Sequence, residues 1–209
     1  MPSQSVFHWL DGRGWLIFSG GADDEIRALA LGRAAADGGV ACVSLSDDPD
    51  VLLDDIADLG APSGYVVDIF GDDDLTLREK LAQAGMVVVT GGETPSDVRG
   101  ALYGVALEGI QAAFANGAVI LLEGISAMAF GSWMIGEEVE SGLEWLNGAA
   151  IFTGINNAAV PAKPIFSEQP NAIAVAIMPG SALALGPDGQ IETWGTREVT
   201  IALGPALTA

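Results

Sequence analysis

Apolar residues in this chain arrive in short unbroken runs, each followed by a glycine or acidic break and then by apolar residues at helical spacing. The first run lies within Gly14 to Ser19; Gly20-Gly21-Ala22 ends it, Asp23, Asp24 and Glu25 put negative charge in a first helical turn, and Ile26, Leu29 and Ala30 form a stripe that extends to about Ala36. The pattern recurs with Val40 to Leu45, then Asp47-Asp48-Pro49-Asp50 and a stripe of Leu52, Leu53, Ile56 and Leu59. It recurs again with Tyr65 to Phe70 before Asp72 to Asp74 and Leu75, Leu77 and Leu81, and with Met86 to Thr90 before a helix capped by Ser96 that carries Val98, Leu102, Val105, Ile110 and Phe114. The fifth run, Val119 to Leu122, leads through Gly124-Ile125-Ser126 into small and apolar residues at helix-compatible spacing. The Met86 to Thr90 run has no polar alternation, as expected of a strand covered on both faces of a parallel sheet. Five alternations predict an α/β fold with a doubly wound, mostly parallel sheet, whose ligands sit at the carboxyl ends of the strands.

The rhythm changes after about Gly148. Ala172 to Ile177, Ser181 to Leu185, Gln190 to Trp194 and Val199 to Leu203 are short strand candidates divided by Pro179-Gly180, Pro187-Asp188-Gly189 and Gly195, which predicts a small C-terminal antiparallel appendage. The expected organisation is a single domain over residues 1–209, with an α/β core over 14–147 and a β-rich part over 148–209.

Composition narrows the partners. With 28 acidic and 8 basic residues the formal charge is −20, which repels nucleic acid and anionic membrane surfaces, so neither is expected as a partner. Glu123 and glycines interrupt the apolar stretch from Ala118 to Ile135, and no membrane span is expected there. The single Cys42 allows no internal disulfide, and Met1 to Arg13 lacks the pattern of a secretory signal, so a cytoplasmic location is expected. The acidic triplets fit caps that complement helix dipoles better than metal sites, and no His or Cys cluster points to a transition metal; no metal and no cofactor is expected. Ser19-Gly20-Gly21 lacks the full dinucleotide-binding spacing. His8, the only histidine, stands beside Trp9 and reads as surface packing. Trp133 and Trp145 fit either a core or an exposed face that favours self-association as a homo-oligomer.

Chemistry concentrates at the strand-to-helix corner Gly124-Ile125-Ser126-Ala127. Such a corner can present a serine nucleophile, with N–H groups at the helix start facing a developing oxyanion; equally, the serine can simply cap the helix.

The ordered set Leu16-Ile17-Phe18-Ser19-Gly20-Gly21, Val89-Thr90-Gly91-Gly92, Gly124-Ile125-Ser126-Ala127 and Ser181-Ala182-Leu183-Ala184-Leu185 resembles the cyanophycinase and dipeptidase E family of serine peptidases. That resemblance implies a flavodoxin-like, class I glutamine amidotransferase-like fold, with Ser126 at the nucleophile position and the backbone N–H groups of Gly92 and Ala127 as the oxyanion hole. The sequence departs from the family at three places. Met128 stands where the family has glycine, Ile165 where it has histidine, and Ala174 to Pro179 where a strand ends in acidic residues. Glu140 or Glu144 would be the carboxylate left to approach the serine, and a carboxylate without imidazole activates a hydroxyl poorly. The reading is therefore a catalytically degenerate relative that keeps the fold as a binding or assembly module for a small-molecule or peptide ligand. The alternative is an active serine hydrolase using Ser126 with an unusual base.

Overall fold

The computed structural model describes residues 7–35, 38–46 and 48–207; the lead-in over Met1 to Val6, the end of the first predicted helix at Ala36, and Asp47 lie outside them. Main-chain pairing builds a seven-stranded sheet from β2 (Leu16–Ser19), β3 (Val40–Ser44), β4 (Gly64–Val66), β5 (Met86–Thr90), β6 (Val119–Glu123), β11 (Ser181–Leu185) and β12 (Ile191–Gly195) in the order β12-β11-β2-β6-β5-β3-β4. The five strands from β2 to β4 run parallel, and β11 and β12 extend the sheet antiparallel. Registers Ser19↔Glu123 and Ser44↔Thr90 bring the carboxyl ends of β2 and β6, and of β3 and β5, level with each other along one rim.

Residue parity explains the layers. Ile17, Val40, Cys42, Met86, Val88, Val119 and Leu121 face one side, where α1 (Asp24–Leu31) and α2 (Pro49–Asp58) cover them through Ile26, Ala30, Leu52 and Ile56. Their neighbours Leu16, Phe18, Val43, Val87, Val89, Ile120 and Leu122 face the other side. There α3 (Asp74–Ala82), α4 (Pro95–Leu102) and α5 (Val105–Asn116) meet a second sheet in one core that includes Leu81, Ile110, Phe114, Phe130 and Trp145. The Trp145 ring stands edge-on to Phe130 with centroids 5.2 Å apart. That geometry sets the positive edge of one ring against the negative face of the other.

The second sheet orders β13 (Val199–Leu203), β10 (Ile173–Ile177), β9 (Leu146–Thr153), β7 (Gly131–Ile135) and β8 (Val139–Ser141), with β1 (His8–Trp9) added on β9. On its outer face α7 (Lys163–Glu168) buries Ile165 against Phe152, Ala174 and Ala176.

The fold class is the predicted one, and several details differ, among them the cap of α4, which is Thr94 and not Ser96. The C-terminal strands do not form a separate appendage: β11 and β12 complete the main sheet, while β10 lies parallel to β9 in the second. The helix read through Val98 to Phe114 is two helices, because Gly104 at φ +103° adopts a backbone closed to other residues at low cost. The strand read to Phe70 stops at Val66, after which the Asp68 carboxylate accepts from the N–H groups of Phe70 and Gly71 and folds the chain into a turn. The helix after the corner, α6 (Ile125–Met128), is a single turn. A Cβ at Gly131 would stand 2.7 Å from the Ala149 carbonyl oxygen, so the chain leaves α6 directly into close pairing with β9.

Candidate active site

Strand β6 is buried along its whole length and delivers the chain to the rim between β2 and β5. The reversal into α6 happens at one residue. Gly124 holds φ +60° and ψ −124°, a conformation that costs an L-residue roughly 1–3 kcal/mol, and its N–H donates to the Ser19 carbonyl at 3.0 Å. In a nucleophile elbow the strained residue is the one that carries the reacting side chain. Here that residue has none. The space it would use is open: a Cβ on Gly124 would meet only the Cα of Gly21, at 3.9 Å.

Ser126 lies two residues further on, fully buried, in the place where an elbow wants a small residue. Its hydroxyl donates to the Gly91 carbonyl at 2.9 Å, fastening α6 to the loop after β5. No carboxylate or imidazole among the described residues bonds that hydroxyl. Because the corner turns at Gly124, Met128 stands four residues beyond it and lines the outer cluster around Ile165 rather than crowding a nucleophile. The Ala127 N–H donates to the Gly124 carbonyl at 3.1 Å and is taken. The N–H groups of Gly92 and of Ile125, the residue directly after the corner, have no hydrogen-bond partner among the described residues.

Among the described residues, none of the other sequence candidates makes a hydrogen bond to Ser126. Glu140 accepts from the Ser96 hydroxyl and pairs with Arg99 at 3.0 Å. Glu144 is exposed at φ +60°, and its carboxylate makes no hydrogen bond among the described residues. His8 lies with Gly186 to Gly189 at the amino-terminal end of β2, across the sheet from the rim. Among the described residues no group of three His, Cys, Asp or Glu side chains is placed to hold a metal ion, and no helix is long and apolar enough to cross a membrane.

The strongest electrostatic feature escaped sequence reading. Glu123, one residue before the corner, is buried and takes a two-pronged contact from Arg27 of α1, Nε to Oε1 at 2.8 Å and Nη2 to Oε2 at 2.9 Å. Arg27 also reaches Asp55 of α2 at 2.8 Å. Burial opposes the Arg27 charge, but hydrogen bonding and attraction from Glu123, then from Asp55, outweigh it and raise the pKa. The same burial pushes the Cys42 thiol up to about 11, with Arg27 pulling the other way and Glu123 adding to the rise. The signal was present: a glutamate inside an apolar strand must find a cation, and Arg27 interrupts an otherwise apolar helix stripe.

No protein-family model and no curated protein matches the chain. Solved structures do. A peptidase from an acI-B1 actinobacterium superposes with a TM-score of 0.73 at 13% identity, covering 93% of this chain and 92% of that one. A candidate Peptidase E from Listeria monocytogenes EGD-e superposes with a TM-score of 0.63 at 14% identity, covering 88% of this chain and 99% of that one. The fold is peptidase E-like. At these identities the likeness concerns the path of the chain, and within this peptidase E-like path the corner residue is Gly124.

Proposed function

We propose that this protein is a degenerate member of the peptidase E-like group that binds a ligand at the carboxyl rim of its main sheet and does not hydrolyse it. The observation that carries the reading is the corner, where glycine holds the strained position and the nearest hydroxyl, Ser126, is buried and spends its proton on a carbonyl. A nucleophile has to reach substrate and pass its proton to a base. Ser126 as placed does neither. Without nucleophile and base, the roughly millionfold advantage of an intact triad falls to what binding and oxyanion donors supply. The free N–H groups of Gly92 and Ile125 are suited to accepting a ligand carbonyl or carboxylate oxygen at the rim, which favours a binding role.

The test is incubation of the pure protein with a fluorophosphonate probe, read by intact mass, beside a hydrolysis assay on aspartyl dipeptides. No adduct and no turnover are expected. A stoichiometric adduct that vanishes in Ser126→Ala would overturn the reading and make the protein a serine hydrolase with an unusual base.

A further inference from the structure

Among the described residues, the free sheet edges are blunted by shortness or by charge, with one exception. β4 and β8 have three residues each and β1 has two; β8 carries Glu140 and β12 carries Glu192. The exception is β13. Val199-Thr200-Ile201-Ala202-Leu203 pairs with β10 on one side only and contains no charge, no proline and no bulge. Two flanking bonds fix which way its main chain points: the Gly204 N–H donates to the Ala172 carbonyl at 2.9 Å, and the Met178 N–H to the Glu198 carbonyl at 3.4 Å. Antiparallel pairing alternates, so Thr200 and Ala202 spend their main-chain groups on β10, and the N–H and C=O of Val199, Ile201 and Leu203 turn outward. The same three side chains share a face. Val199 packs against the main core, while Ile201 at 49% and Leu203 at 41% remain exposed.

An uncharged edge with a regular row of outward donors and acceptors is a template for another strand. The row itself says which strand fits. A two-fold axis through Ile201 sets β13 antiparallel to its own copy, with Ile201 opposite Ile201 and Leu203 opposite Val199, and each of these is the kind of pair that exchanges both main-chain bonds. The apolar side chains then meet on one face, and Ile201 and Leu203 leave water. Charge agrees: in this register Glu198 falls opposite Gly204 and Arg197 opposite Pro205, so like charges never stand opposite each other. We propose that β13 is a homodimerisation edge, through which two copies of this chain join their second sheets into one continuous sheet. A contact of five residues per copy falls short of the roughly 1,200 Å² of a stable complex, so the dimer is reversible, with a Kd on the order of 10 µM. Two bodies of charge −20 repel, so the dimer tightens as salt rises. This inference does not rest on the ligand-binding reading of the rim.

Sedimentation velocity over a protein series from about 1 to about 300 µM reads the association. A monomer–dimer equilibrium is expected, with a Kd that falls about tenfold between about 0.05 and about 0.5 M salt. Ile201→Lys sets two ammonium groups side by side across the axis, and Ile201→Pro removes an outward N–H while sparing the bonds to β10. Each should weaken association by about tenfold or more. The Ile201 side chain is exposed, so a thermal midpoint of Ile201→Lys close to that of dilute wild type will confirm that the variant folds. Hydrogen exchange on the wild type needs no variant. The amides of Val199, Ile201 and Leu203 should exchange freely in dilute protein and gain protection as concentration rises, while those of Thr200 and Ala202 stay protected throughout. A chain that stays monomeric at the highest concentration and high salt would overturn the proposal and leave the edge to a strand from a different protein. A dimer that Ile201→Lys leaves intact, or protection gained elsewhere in the chain, would overturn it as well.

Discussion

A serine two positions from a corner and a serine at the corner differ by a few ångströms of chain and by an entire chemistry. Gly-Ile-Ser-Ala draws attention to its hydroxyl, and nothing in the four letters says which residue will take the positive φ. The backbone decides in favour of Gly124. The test at this scale is Gly124→Ser. A Cβ there meets nothing closer than Gly21, so the variant should fold, yet it should lose about 1–3 kcal/mol because serine now carries the left-handed strain. It should remain without esterase activity on a chromogenic ester, since the single histidine, His8, lies at the opposite end of the sheet and cannot take its proton. A midpoint unchanged from wild type would show that Gly124 is not strained as described. Rapid ester cleavage would show that a base is within reach after all.

At the scale of elements, the strands that were legible in the sequence are those whose partners cover both faces. Leu16–Ser19, Val40–Ser44, Met86–Thr90 and Val119–Glu123 are buried throughout or nearly so, and burial on two sides writes itself as an unbroken apolar run. The strand over Gly131-Ser132-Trp133-Met134-Ile135 was not expected because the segment has no decisive period. Its strand character comes from distant Ala149 and Ala150, which sequence spacing does not reveal. The pin between elements was equally hidden: Arg27 joins α1 to the end of β6 and to α2, across separations of 96 and 28 residues. Arg27→Met should destabilise the fold by about 3–5 kcal/mol, because it strands a buried carboxylate. Arg27→Met with Glu123→Leu should recover most of that loss, since two apolar chains then fill the space of the pair. Urea unfolding of both variants measures it, and a single variant that is harmless would show that Glu123 finds water or another partner.

For the whole molecule, charge and topology set the behaviour. A formal charge of −20 on 209 residues repels itself, so the thermal midpoint should climb as salt is added, most steeply below about 0.15 M, where screening changes fastest. A scanning series across ionic strength checks this, and a flat or falling midpoint would mean that local pairing already offsets the repulsion. The interleaving of the sheets has a consequence for how the protein is made. The chain lays down β2, β3, β5 and β6 within its first 123 residues, but β11, the neighbour that covers the free side of β2, is not complete until residue 185, and β10 of the other sheet comes just before it. Until then a ribosome-bound or prematurely ended chain carries Leu16–Ser19, a fully buried strand of the finished protein, as a bare edge. Polypeptides stopped anywhere before Ser181 are therefore expected to be sticky intermediates that a cell must shield or destroy, and synthesis of β11 is what turns an aggregating nascent chain into a quiet protein.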